Sequence, residues 1–175
     1  MAKLSRVWSS RMRLVLALSI ALAIAILLDN LPAFQAVFLP LQQVTAMLAF
    51  VAIKTTGLPI AIDDVLLTHP HGFRVAISYG CTPLIPAIFV GSILTLGLSL
   101  TSRARLVGLS SSIVLLTLLN LFRVAALYYI GVVSPQAFAL AHEWLGPSII
   151  VLGTALLACY WISASIRAQP GAPAP

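Results

Sequence analysis

From residue 106 to residue 133 the chain carries one charged side chain, Arg123. A helix through that stretch is long enough to cross a hydrocarbon core of about 30 Å at about 1.5 Å per residue, and it is otherwise almost wholly apolar. Residues 14–28, 83–100 and 146–166 repeat the pattern with no charged residue at all. With 61% hydrophobic and 8% charged residues, too little polar surface remains for a water-soluble domain of this length, so the bilayer is the solvent. The sequence therefore predicts an all-α polytopic membrane protein of about four transmembrane helices. Residues 1–167 form a single integral-membrane domain, followed by a Pro/Ala-rich tail at 168–175 that is read as disordered.

Charge sets the sidedness. The ten Lys and Arg residues fall in a few short stretches, which suits a topology signal better than a nucleic-acid surface. Lys3, Arg6, Arg11 and Arg13 precede the first run and hold its start in the cytoplasm. After that run, Asp29-Asn30-Leu31-Pro32-Ala33 offers no small-x-small cleavage site, so the run is read as an uncleaved span. Residues 34–53 are apolar but carry Gln35, Gln42, Gln43 and Pro40. If they crossed, Arg103 and Arg105 would lie outside; lying flat on the outer surface, they leave that loop in the cytoplasm. The flat reading keeps seven of the ten cations inside, and Phe34, Val37, Phe38, Leu41, Leu48 and Val51 then form the apolar face of an interfacial amphipathic helix. Beyond it, Phe73, Val75 and Ile77 alternate with Arg74, Ala76 and Ser78, the period of a half-buried strand. Residues 60–67 are read as its partner across the His69-Pro70-His71-Gly72 turn, giving a short extracytoplasmic β-hairpin that leads into Cys81.

Helical rise then works as a ruler. Arg103 lies 22 residues beyond Cys81, Arg123 lies 18 beyond Arg105, and Arg167 lies 25 beyond His142. These separations are about 33, 27 and 38 Å along a helix, so a cysteine, an arginine and a histidine from different spans reach the outer boundary together. Asn120 stands three residues before Arg123 on the same face, where an amide can hold a guanidinium in place; snorkelling to headgroups is the plainer role for Arg123 alone. Cys81, after Tyr79-Gly80 and before Thr82-Pro83, sits where a loop becomes a helix, and the positive end of that helix favours a thiolate. His142, beside Glu143 at the start of the last span, supplies an imidazole for proton transfer. The catalytic candidates are thus Cys81, Arg123 and His142, with Asn120, Glu143 and Tyr79 as supporting or substrate-binding residues. His69 and His71, joined by Cys81 and His142, form an alternative metal set that no Cys-x-x-Cys pair supports; the reading adopted calls for no metal and no cofactor. Cys159, inside an apolar run, is read as a buried hydrophobe.

The order and spacing of Gly80-Cys81-Thr82-Pro83, Asn120-Leu121-Phe122-Arg123 and Ala141-His142-Glu143-Trp144 resemble the exosortase/archaeosortase family of membrane enzymes. The resemblance covers about residues 30–165 and suggests a compact member; Thr82-Pro83 departs from the small residues and glycine common after the family's cysteine. It implies a membrane-embedded cysteine protease or transpeptidase that cleaves C-terminal, PEP-CTERM-like sorting signals of exported proteins. Each such signal is a motif, an apolar helix and a basic tail, cut on the outer face of a prokaryotic cytoplasmic membrane. In that scheme Cys81 forms a thioester, His142 moves the proton, and Arg123, oriented by Asn120, stabilises the oxyanion. The hairpin and the flat helix are then the walls that seat the signal. Two other classes stay open from the residues alone. One is a non-enzymatic accessory subunit of envelope polysaccharide or protein export, in which Asn120, Arg123 and His142 glue helices together. The other is a small transporter with Arg123 as an anion site, disfavoured because the polar residues gather at one surface and not at the midplane.

Overall fold

The computed structural model describes residues 37–98 and 100–167 continuously, with scattered positions between 12 and 24. The expected first span at 14–28 is not described continuously, and the start of the flat helix at 34–36 and the tail at 168–175 lie outside the described residues.

Helix α1 (Leu39–Thr55) begins with Pro40 in its first turn, where a missing N–H leaves no helical bond unmade. Its packed face is Gln42, Thr45, Ala46, Ala49 and Ile53, while Val44, Met47, Leu48 and Val51 are exposed. Small and polar residues inside, large apolar residues outside, is the pattern of a helix whose outer face meets lipid.

The expected two-stranded hairpin is a three-stranded antiparallel meander, β1 (Ala61–Asp63), β2 (Leu66–Thr68) and β3 (Arg74–Ala76), in the order β1-β2-β3. Residues 60–67 do not run as one strand because Asp64, at φ 56°, turns the chain back between β1 and β2, and Asp63 pairs with Leu66. Aspartate tolerates that left-handed conformation better than most residues. Leu67 then pairs with Val75, and the alternation predicted for 73–78 is present: Phe73 and Val75 are half-buried and Ile77 buried, with Arg74, Ala76 and Ser78 exposed. Gln43 Nε2 donates to Asp64 Oδ1 at 2.7 Å and ties α1 to the sheet.

A 3₁₀ turn (Tyr79–Cys81) leads into α2 (Leu84–Ser92), which continues as a π-turn (Ile93–Gly97) and ends where Leu98 N–H donates to Ile93 O at 3.0 Å. The apolar helix there is Leu84–Leu96, shorter than the span expected at 83–100. Helix α3 (Ser102–Val133) opens under a threonine cap, Thr101 Oγ1 accepting from Ala104 N–H at 3.3 Å, and stops before Pro135, which cannot continue the backbone ladder. Helix α4 (Pro135–Leu140), a second π-turn (Ala141–Leu145) and α5 (Gly146–Arg167) follow without a break. Among the described residues two continuous helices, Ser102–Val133 and Pro135–Arg167, are long and apolar enough to cross a membrane.

Helix α3 is the central strut. It buries Gly108, Ser112, Leu116, Asn120, Arg123, Leu127 and Gly131 along one stripe and exposes Val107, Val114, Leu118 and Phe122 on the other. One core cluster joins α1, the sheet, Cys81, Val124 and Tyr128; a second joins Val90, Ile93, Leu94, Leu116 and Ala158. At the junction, Phe73 reaches across the α3 surface at Gly131, where a Cβ would run into the Phe73 ring. Tyr128, fully buried, donates to Pro59 O and Thr68 O at 3.0 and 3.2 Å and so holds the sheet against α3.

Candidate active site

The 3₁₀ turn fixes the backbone around Cys81: its N–H donates to Ser78 O at 2.9 Å, and Thr82 uses both N–H and hydroxyl on Tyr79 O at 3.0 and 2.6 Å. The thiol is buried, 6% exposed, in the cluster shared by α1, the sheet and α3. Ser78 Oγ stands 3.6 Å from Cys81 Sγ, a donor aimed at the sulfur.

From α3, one turn of helix delivers both polar residues to this loop. Asn120, 2% exposed, donates from Nδ2 to Cys81 O at 2.7 Å, and Arg123 Nη1 lies 3.4 Å from Gly80 O. The amide contact is the stronger by geometry, since 3.4 Å is long for a nitrogen–oxygen hydrogen bond. Arg123 is 6% exposed, its Nε has no hydrogen-bond partner, and among the described residues no carboxylate pairs with it. A buried guanidinium so thinly bonded retains donors for an oxygen brought to Cys81.

Arg123 also touches the last helix through a glycine. A Cβ at Gly146 would stand 2.7 Å from Arg123 Nε, 3.4 Å from Leu127 Cδ1 and 3.5 Å from Ala141 O. Gly146 follows directly on the π-turn that carries His142, so the histidine's turn and the guanidinium are neighbours. π-turns within α-helices recur at functional sites because the extra residue re-aims the side chains around it. The His142 ring is half-buried and lies against Phe138, with centroids 5.5 Å apart and planes tilted by 31°; Phe138 in turn packs edge-on against Phe73.

Cys81, Asn120 and Arg123 are therefore in one place, and His142 stands on the adjoining turn without a hydrogen bond to Cys81. Glu143 is exposed and joins none of these contacts; Tyr79 is half-buried and supplies the carbonyl that holds Thr82. His69 is buried with Nδ1 accepting from His71 N–H at 3.2 Å, and its ring packs on Tyr128 and His71. Among the described residues no three His, Cys, Asp or Glu side chains come together as a metal site, so His69, His71, Cys81 and His142 do not assemble as the alternative set. Cys159 is exposed on α5 and not buried as expected: the outer faces of these helices are apolar, so an apolar run does not imply a buried one.

Ser78 and Gly146 were not singled out from sequence. Gly146 did carry a signal, lying four residues after His142 and hence near it on a helix. Ser78 carried none, because a single serine in a strand alternation reads as an outward-facing residue.

The family model described as transmembrane exosortase matches residues 5–161, nine-tenths of the chain and all of the residues above. The chain belongs to the exosortase family. Membership makes it a membrane protein with a transpeptidase-like role in general terms. No curated protein and no solved structure gives a significant match.

Proposed function

We propose that this exosortase is a cysteine-type peptidase or transpeptidase that cuts C-terminal sorting signals from exported proteins at the outer face of a cytoplasmic membrane. The observation that carries the reading is the convergence on one loop of a buried thiol, the amide that holds its backbone carbonyl and a guanidinium with an unpartnered Nε.

The chemistry follows from those groups. Cys81 gives its proton to His142, the thiolate Sγ attacks the scissile carbonyl, and Arg123 donates hydrogen bonds to the oxygen that becomes an oxyanion. Collapse breaks the C–N bond, His142 returns the proton to the leaving amine, and a thioester remains on Cys81 until water or an acceptor amine takes the acyl group. No hydrogen bond joins His142 to Cys81, so the Ala141–Leu145 turn must shift when substrate binds or a water must bridge them. An apolar groove of about 700 Å³ beside that turn, lined by Leu140, Trp144, Leu145, Ile149 and Leu152, supports a seat for the signal's apolar helix. The charge pattern supports an outward-facing site reached by the basic-tailed signal from within the bilayer.

The test is processing of a signal-bearing exported protein in cells carrying wild type, Cys81→Ala or Cys81→Ser, with membrane levels of the enzyme measured alongside. Loss of cleavage at normal levels is the expected result; cleavage unchanged in both variants overturns the thiol mechanism. One observation favours a second reading. Asn120 and Arg123 bond only to backbone carbonyls, as helix-to-loop glue does, and a non-enzymatic subunit would leave Cys81→Ser silent while Arg123→Ala lowered stability.

A further inference from the structure

Cys81 is held by its backbone on both sides. Its N–H is taken by Ser78 O and its carbonyl by Asn120 Nδ2, so the side chain is the part of the residue left to act. Around the sulfur, Thr82 hydroxyl is committed to Tyr79 O at 2.6 Å, whereas Ser78 Oγ reaches Cys81 Sγ at 3.6 Å. Ser78 sits in extended backbone, φ −81° and ψ 169°, and its hydroxyl lies back over Gly80, 3.8 Å from where a Cβ of that residue would be. The same residue thus binds Cys81 twice, by carbonyl and by hydroxyl, and is itself exposed while the thiol is buried.

From this geometry we infer that Ser78 is a catalytic residue of the thiol centre: its hydroxyl donates to Cys81 Sγ and holds the sulfur in its anionic, nucleophilic form. The inference rests on Cys81 being the nucleophile and adds a residue to it. Ser78 keeps its proton throughout. A hydrogen bond to a charged acceptor is stronger than one to a neutral acceptor, so the hydroxyl favours the thiolate over the thiol. When sulfur becomes the thioester the acceptor loses its charge and the bond weakens. Ser78 therefore acts on formation of the nucleophile and on its departure, and the neutral intermediate between them feels it least. Arg123 has a different task, since its bond is to Gly80 O and not to the sulfur.

Alkylation tests this without any substrate. The full-length chain in lipid nanodiscs, with Cys159→Ser so that Cys81 is the one thiol, is treated with iodoacetamide and the rate read by mass spectrometry at pH 7 and pH 10. Ser78→Ala should slow the reaction about three- to fivefold at pH 7: one hydrogen bond to a charged group is worth about tenfold in thiolate fraction, and the greater nucleophilicity of a less stabilised thiolate returns about half of that on a logarithmic scale. At pH 10, above the ordinary range of a thiol, the hydrogen bond should no longer limit the rate, and the rates should agree or the variant be slightly faster, because a less stabilised thiolate is the better nucleophile. Ser78→Thr keeps the hydroxyl in a backbone conformation that β-branched residues accept and should restore the wild-type rate at pH 7. Equal rates for Ser78→Ala and wild type at pH 7 overturn the inference. So does equal slowing at both pH values, which would mean that Ser78 governs access. Neither result touches the nucleophile reading, which stands or falls on the Cys81→Ala processing experiment.

Discussion

An alanine at position 146 would bring a methyl group to 2.7 Å from Arg123 Nε, while ordinary contact begins at 3.4 Å. The deficit is about 0.7 Å, and the methyl cannot supply it because it is fixed to a helix backbone. Leu127 Cδ1 at 3.4 Å and Ala141 O at 3.5 Å close the neighbouring directions, so the guanidinium must yield. Its bond from Nη1 to Gly80 O is already 3.4 Å long and would be lost with such a shift. Misplacing a catalytic group by about 1 Å can lower turnover about 100-fold, so Gly146→Ala should reduce kcat/KM for signal cleavage by about ten- to a hundredfold. Stability should hold, because alanine is favoured over glycine by about 1 kcal/mol within a helix and offsets the local crowding. The assay is cleavage of a signal-bearing reporter by protein in lipid, with thermal unfolding followed on the same preparation. In an Arg123→Lys background, where the group facing Gly146 is gone, the same glycine change should add little. Wild-type turnover in Gly146→Ala, or a full additional loss in the lysine background, would refute the placement of Arg123 as the group that matters.

Three further outcomes follow from the packing. Asn120→Leu removes the donor to Cys81 O and leaves that carbonyl buried and unpaired; it should cost about 1–3 kcal/mol in thermal or denaturant unfolding and slow cleavage as well. Gly131→Ala drives a methyl into the Phe73 ring and should destabilise by about 1–3 kcal/mol, with a loss of cleavage transmitted through Phe138 to His142, read by unfolding and reporter cleavage. Val114→Arg, on the exposed stripe of α3, should disfavour membrane insertion by about 2.5–3.5 kcal/mol if that face meets lipid, measured as the inserted fraction in a glycosylation-mapping assay.

The proximity of Cys81, Asn120 and Arg123 was legible because it depends on one-dimensional quantities: helical rise, the spacing of three that puts Asn120 and Arg123 on one face, and arginines marking helix ends. The Phe73–Ser78 alternation was legible for the same reason, since a strand's period is two. Other features depend on backbone hydrogen-bond register, which side-chain patterning does not report. The π-turns at Ile93–Gly97 and Ala141–Leu145 are of this kind, and the first shortens what reads as a full-length apolar run at 83–100. Asp64 splitting 60–67 into two strands depended on one residue's φ. The inward face of α1 was masked because the periodicity of Val37, Leu48 and Val51 marks an apolar face without saying whether protein or lipid covers it. Rise alone sets His142 level with Arg123 along neighbouring helices, but it carries no information on rotation about the helix axis, and the ring packs on Phe138 with no bond to Cys81.

Covalent capture tests directly whether Cys81 is the nucleophile. Purified protein in lipid is mixed with a signal-bearing substrate, quenched in acid within the first turnover, and its intact mass and Cys81 peptide are measured with and without neutral hydroxylamine. An adduct on Cys81 with the mass of the substrate's N-terminal fragment is expected, released by hydroxylamine as a thioester is, and absent from Cys81→Ala. Cleavage by Cys81→Ala at the wild-type rate, or an adduct on any other residue, would contradict that role.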